Sequence, residues 1–386
     1  MKPSAIAPEK LQRFRDVAER NLTDALVVAK DGHVVLRYQR PGAASRFQVM
    51  SVTKSIASLV LGQLIDAGLV HLDDKLSLFY PQWSGDPRGA ITLRHVLEHT
   101  TGLADEKTTE AIYASGDFVA FALDARLEHP PGTRFFYSNK ASNLLSGIVQ
   151  KVTGRELADV AREGLFAKVG ISDVEWWADK ARHTQVMAGL VLTADELTKL
   201  GELVLNEGAS CGQQVVSRAW IQSSTRTFRY PGPPHGFLWW LKPTTVEHGF
   251  DEVLFEDWAK TGMPHEVIEK FRPLDGRFFE QREFFLTVLR TMTGKVQSDD
   301  LDRDLADWYQ QTWKAGRRDG TVRMNGIASI HADGWLGQFL YVYPEERLVV
   351  VRLRHPPDDS SQNDAGSFKD IEREIAKLIS PAETDG

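Results

Sequence analysis

Two hairpin signals, one near each end of this 386-residue chain, limit what it can fold into. Ala25-Leu26-Val27-Val28-Ala29 and His33-Val34-Val35-Leu36-Arg37-Tyr38 flank Lys30-Asp31-Gly32. β-Branched runs around Asp-Gly are the strongest short-range signal for a β-hairpin. Near the other end, Gly337-Gln338-Phe339-Leu340-Tyr341-Val342-Tyr343 and Arg347-Leu348-Val349-Val350-Val351-Arg352-Leu353 flank Pro344-Glu345-Glu346. The stretch between, from about 55 to 205, is mostly helical with Gly and Pro punctuation. Strands at both ends of a helix-rich middle predict an antiparallel sheet closed by the N- and C-terminal segments, with helices packed on it. Leu11, Phe14 and Val17–Ala18 fall at helical spacing and predict an amphipathic helix over 10–21, with another at about 366–379. Ser55–Ala67 is nearly all apolar or small, the mark of a buried helix, and stops at Gly68, a C-cap residue.

Length supports two domains or one large one at about 150 residues per domain. The expected fold class is α+β: a sheet domain from 1–75 and 185–386, with a mostly helical domain at 76–184. An insertion at 243–320 stands apart. It carries 16 acidic and 11 basic residues, so −5 of the net −7 lies there. Phe278, Gln281, Phe285 and Val288–Leu289 share one helical stripe, which argues for a folded segment. A long insert of this kind is either a lid or wall beside a binding site, or a remote helical ornament or dimer surface. A net charge of −7 offers no basic field for nucleic acid. The single cysteine, Cys211, excludes an internal disulfide and any multi-cysteine metal site. No apolar run reaches the about 18 residues of a membrane span, and Met1–Pro8 lacks a signal-peptide core. A cytoplasmic globular protein is expected.

Chemistry enters at Ser51-Val52-Thr53-Lys54, the sole S-x-x-K, at the start of the buried helix. Residues i and i+3 share a helix face, so the Lys54 amine can stand beside the Ser51 hydroxyl. Free N–H groups at a helix start favour negative charge developing there. The competing reading makes Ser51 a helix cap and Lys54 a surface residue, but the residues that follow are too apolar for a solvated face. A lysine one turn into a buried helix needs a partner. Tyr137-Ser138-Asn139, the sole Y-x-N, follows a Pro131-Gly132 turn, a loop setting where catalytic groups collect. A phenol acts as a base near neutral pH only beside a cation, and Lys54 is the natural candidate. The alternative is a core tyrosine beside a capping asparagine.

These stretches resemble the serine β-lactamase and penicillin-binding-protein superfamily, on the branch of class C β-lactamases, family VIII esterases and 6-aminohexanoate-dimer hydrolases. The matching segments begin with FQVMSVTK at 47–54, LRHVLEHTTGL at 93–103 and PGTRFFYSN at 131–139. LLSGIVQKVTG at 144–154, AGLVLTADELTKLGELVLNEG at 188–208, GFLWWL at 236–241 and GWLGQFLYVYP at 334–344 follow in the family's order. The resemblance implies a β-lactamase/transpeptidase-like fold with the site between the sheet and the helical domain. It implies Ser51 as nucleophile, Lys54 as its activator, Tyr137 as general base, and Asn139 and Gly334 as substrate contacts. The N–H groups of Ser51 and Trp335 become an oxyanion hole, worth about 3–4 kcal/mol per donor. No metal or organic cofactor is implied. The expected partner is a small-molecule ester or amide, with no nucleic acid and no membrane, and a homodimer is left open.

The chain departs from the pattern at the family's K-T-G or H-T-G element, where Ala332-Asp333-Gly334 stands. A cation is missing from the first slot unless the register slips by one to His331. Asp333 adds a negative charge if it faces the site. Esters and linear amides are therefore expected over β-lactams and D-Ala-D-Ala peptides. Two further readings compete. His95-Val96-Leu97-Glu98-His99 has the form H-x-x-E-H, a zinc pattern with two histidines at i and i+4. A non-catalytic binding protein on the same fold is the other, and intact Ser51, Lys54 and Tyr137 argue against it.

Overall fold

The computed structural model describes residues 6–105, 108–226, 232–357 and 367–380. Residue 366, where the C-terminal helical period was placed, lies outside them. The two hairpins form as expected. β1 (Ala25–Lys30) and β2 (His33–Gln39) are joined by Asp31 and Gly32, both at positive φ, 53° and 78°. That is the backbone a two-residue type I′ turn requires. β3 (Trp240–Lys242), β4 (Ser329–Gly334), β5 (Gln338–Tyr343) and β6 (Leu348–Leu353) complete an antiparallel sheet ordered β2–β1–β6–β5–β4–β3. Val27 pairs with Val351 and Val28 with Val350, so the two ends of the chain meet mid-sheet.

The helices that frame the sheet and the site are α1 (Pro8–Arg20), α2 (Val52–Asp66), α3 (Leu93–Leu97), α4 (Leu144–Thr153), α5 (Ala194–Leu205) and α6 (Ile371–Ile379). α1 and α6 cover one face. Phe14, Ala18, Ile371, Ile375 and Leu378 pack there on Leu26, Val28, Tyr341 and Val350. α5 covers the other face. It lies so close that a Cβ on Gly201 would stand 2.6 Å from Val349 and 2.7 Å from Leu340. Burial on both faces explains why β6 reads as an unbroken Leu-Val-Val-Val run. α2 is buried along almost its whole length, and Gly68 follows it at φ 69°.

Residues 1–242 and 328–386 form one compact unit, and 243–327 form a second. The second runs past residue 320 because strand Thr321–Asn325 pairs with Thr245–Gly249 inside it. Its core holds Phe250, Trp258, Phe271, Phe284 and Trp308. The stripe read over 278–289 is only partly helical. Phe278 pairs with Gly249 on a short strand, and the helix begins at Gln281. Among the described residues, no helix is long and apolar enough to cross a membrane.

Candidate active site

Met50 sits in the left-handed region at φ 51°, a cost a non-glycine residue bears only where its surroundings impose it. The chain then turns into α2 at Ser51, whose own backbone is already helical at φ −67° and ψ −12°. Its hydroxyl makes no capping hydrogen bond. One turn on, Lys54 is 2% exposed, and its Nζ donates to Ser51 Oγ at 3.1 Å, Asn139 Oδ1 at 2.8 Å and the Met187 carbonyl at 2.8 Å. Three oxygens thus surround the Lys54 amine. The neighbouring turn is held as firmly: Ser55 Oγ donates to the Leu238 carbonyl, and Thr53 Oγ1 accepts from Leu190 N–H.

Tyr137 is half-buried, with the Lys54 Nζ 4.9 Å from its ring centroid. Its ring lies 4.6 Å from His99 and stacks on Trp240 at 5.8 Å and 15°. Ser138 caps the short helix Asn139–Ser142 by accepting from Ala141 N–H. Asn139, expected to contact substrate, gives its Oδ1 to Lys54.

The strand β4 arrives from the other side. A Cβ on Gly334 would stand 2.6 Å from the Val49 carbonyl and 3.1 Å from Met50 Cβ, so only glycine lets this backbone so near the serine. Trp335 follows, 55% exposed. Among the described residues, the N–H groups of Ser51 and Trp335 have no protein acceptor. The turn after Trp335 is pinned by Arg352, fully buried, which donates to the Leu336 and Gly337 carbonyls at 2.7 and 2.6 Å.

Ala332, on the same face as Gly334, is buried and brings no cation. His331 and Asp333 point the other way. His331 stacks on Tyr341 at 4.8 Å and lies 4.0 Å from Glu372 of α6, so no register slip brings it to the serine. Asp333 does not face the site: it meets the Tyr341 hydroxyl, and burial, with Glu372 nearby, pushes its carboxyl up to about 7. The alternation of a strand places them so, since neighbours of Ala332 and Gly334 must turn toward α6.

The zinc geometry does not form. α3 ends at Leu97 and His99 is left-handed at φ 54°, so the two histidines do not share a helix face. His95 Nδ1 accepts from Thr92 N–H in a capping box, and His99 Nδ1 accepts from Ser138 N–H at 3.2 Å. Burial holds His99 well below the usual histidine range and His235, 5.2 Å from it, down at about 3. Both rings are therefore neutral packing groups, His99 against Tyr137 and His235 against Phe135 and Trp240. The sequence reading missed Met187, Asn143 and Trp240. Met187 contributes a carbonyl, which no side-chain motif encodes, and Asn143 shows only as a polar residue opening the apolar run at 144–149.

A family profile described as Beta-lactamase matches residues 12–365. The 6-aminohexanoate-dimer hydrolase of Paenarthrobacter ureafaciens is 26% identical over 226 residues, 53% of this chain and 57% of that enzyme. Penicillin-binding protein 4* of Bacillus subtilis (strain 168) is 26% identical over 180 residues, 42% of this chain and 39% of that protein. The matches thus span less than two thirds of these relatives' length. The crystal structure of a class C beta lactamase from Rhodobacter sphaeroides superposes with a TM-score of 0.57 at 16% identity, covering 96% of this chain and 99% of that one.

Proposed function

The chain belongs to the Beta-lactamase family, and on that premise we propose a serine hydrolase that cleaves an ester or linear amide through an acyl-enzyme on Ser51. One observation carries the reading: the buried Lys54 Nζ stands 3.1 Å from a Ser51 hydroxyl that caps nothing. Ser51 Oγ attacks the carbonyl carbon and gives up its proton to the Lys54–Tyr137 pair. The N–H groups of Ser51 and Trp335 receive the charge on the carbonyl oxygen. The tetrahedral intermediate collapses, the pair protonates the departing alcohol or amine, and water then releases the acid from Ser51.

The substrate preference rests on β4. A β-lactam carries a carboxylate beside its scissile bond, and the site face of β4 offers Ala332 where a cation would hold it. A missing charge-assisted hydrogen bond costs about 1.5–3 kcal/mol, or roughly 10- to 150-fold in kcat/KM. Neutral esters and amides lose nothing there. A fluorophosphonate adduct on Ser51, located by intact mass and peptide mapping, tests the nucleophile. Comparing p-nitrophenyl butyrate, a linear amide and nitrocefin on one preparation tests the preference. Nitrocefin turnover matching that of the ester would remove it.

A further inference from the structure

We infer that Asn143 is a positioning residue for Lys54, and through it for Ser51, a role that rests on the hydrolase reading above. Asn143 is 1% exposed and joins the short helix Asn139–Ser142 to α4. Its Oδ1 accepts from the N–H groups of Val186 and Met187 at 3.0 and 3.1 Å. Its Nδ2 donates to the Asn139 carbonyl at 3.2 Å. The residues it grips, Asn139 and Met187, are the two partners of Lys54 Nζ besides Ser51, each at 2.8 Å. One buried amide thus ties both anchors of the lysine to each other. These anchors come from segments far apart in the chain, and nothing local keeps them in register.

The chemistry of the side chain suits this use. An amide oxygen has two acceptor sites, here filled by two N–H donors, and the amide nitrogen points at a carbonyl. Aspartate keeps the acceptors but sets an oxygen against the Asn139 carbonyl. Alanine abandons both arms and leaves two buried N–H groups unpaired, so the lysine's acceptors can drift. Misplacing a catalytic group by about 1 Å can cost roughly 100-fold in rate.

The experiment measures the rate of fluorophosphonate labelling of Ser51 by intact mass, with kcat and KM for p-nitrophenyl butyrate. The proteins are wild type, Asn143→Ala, Asn143→Asp, Lys54→Ala and both Asn143 variants in the Lys54→Ala background. Asn143→Ala is expected to slow labelling and kcat about 10- to 100-fold with KM held within about threefold. Asn143→Asp should fall between it and wild type. In the Lys54→Ala background either change should cost less than about twofold, because residues that act as a unit are non-additive. A residue that merely braces the fold would lower Tm and multiply its cost in both backgrounds. Full multiplication, or a folded Asn143→Ala protein labelled at the wild-type rate, overturns the inference and leaves the hydrolase standing. Wild type that takes no label on Ser51 overturns both. Should Asn143→Ala fail to fold, Asn143→Asp decides by the same comparison.

Discussion

The two faces of β4 treat polar groups in opposite ways. Toward α2, Gly334 presses on the residues before Ser51, and the buried Lys54 amine there has three oxygen partners. Toward α6, His331 and Asp333 are crowded beside Tyr341 and Glu372, with His331 Nδ1 and Asp333 Oδ1 lacking any partner. Burial pulls His331 down to about 4 and raises Asp333 to about 7. A buried group must be paired or neutral. The first face keeps its lysine by pairing it, and the second keeps its acid and imidazole by neutralising them.

The sharpest break would come from the serine. Ser51→Ala should lower ester turnover by about 10⁴-fold or more while Tm holds within a few degrees, as expected when the nucleophile of a cooperating site is removed. Thermal melts and steady-state rates on the same preparation check it. Undiminished hydrolysis by the folded variant would shift the chemistry off this face altogether.

Next in size is the coupling between Lys54 and Tyr137. The Lys54 Nζ lies 4.9 Å from the Tyr137 ring centroid, and in the proposed mechanism the two handle one proton together. Lys54→Ala and Tyr137→Phe should each cost about 10²–10⁴-fold in kcat, and the double variant little more than the worse single one. Losses that multiply in full would separate them into independent groups.

The same contrast explains what could be read in advance. The sheet was legible because β1, β2, β5 and β6 alternate or run apolar next to turn residues, and local chemistry decides a hairpin. The approach of Lys54 to Ser51 and to the Tyr137 ring was legible because S-x-x-K and Y-x-N are side-chain patterns. The orientation of Asp333 was not, because it depends on which face of β4 meets α2, a tertiary fact that the Gly334–Val49 contact supplies. Nor was the H-x-x-E-H geometry, since nothing local to His99 announces that α3 stops two residues earlier. Phe278 misled the periodicity for a similar reason. Its strand exists only because Gly249, distant in sequence, pairs with it.

The smallest expected effect tests the far face itself. Asp333 has an ordinary value of 3.8 and is pushed up to about 7 in the fold. Between those values the folded protein holds a proton that the unfolded chain has released, so stability falls as pH rises from 4 to 7 and then levels off. Asparagine keeps the shape and cannot ionise. Asp333→Asn should therefore gain on wild type as pH rises, with a difference in Tm that grows between pH 5 and 8 by a few degrees, on the order of 1–2 kcal/mol. His331, held near 4, stays neutral over that range and leaves the slope to Asp333. Glu372, the other acid on this face, is paired with Lys242 at 2.8 Å. Ester hydrolysis at pH 7 should stay within about twofold of wild type, since strand alternation turns the Asp333 side chain toward α6 and away from Ser51. Melts of both proteins across the pH range, with one rate measurement each, read both halves. A Tm difference that stays flat would mean that the carboxyl is solvated, and a large loss of activity would mean that the two faces of β4 are not separate.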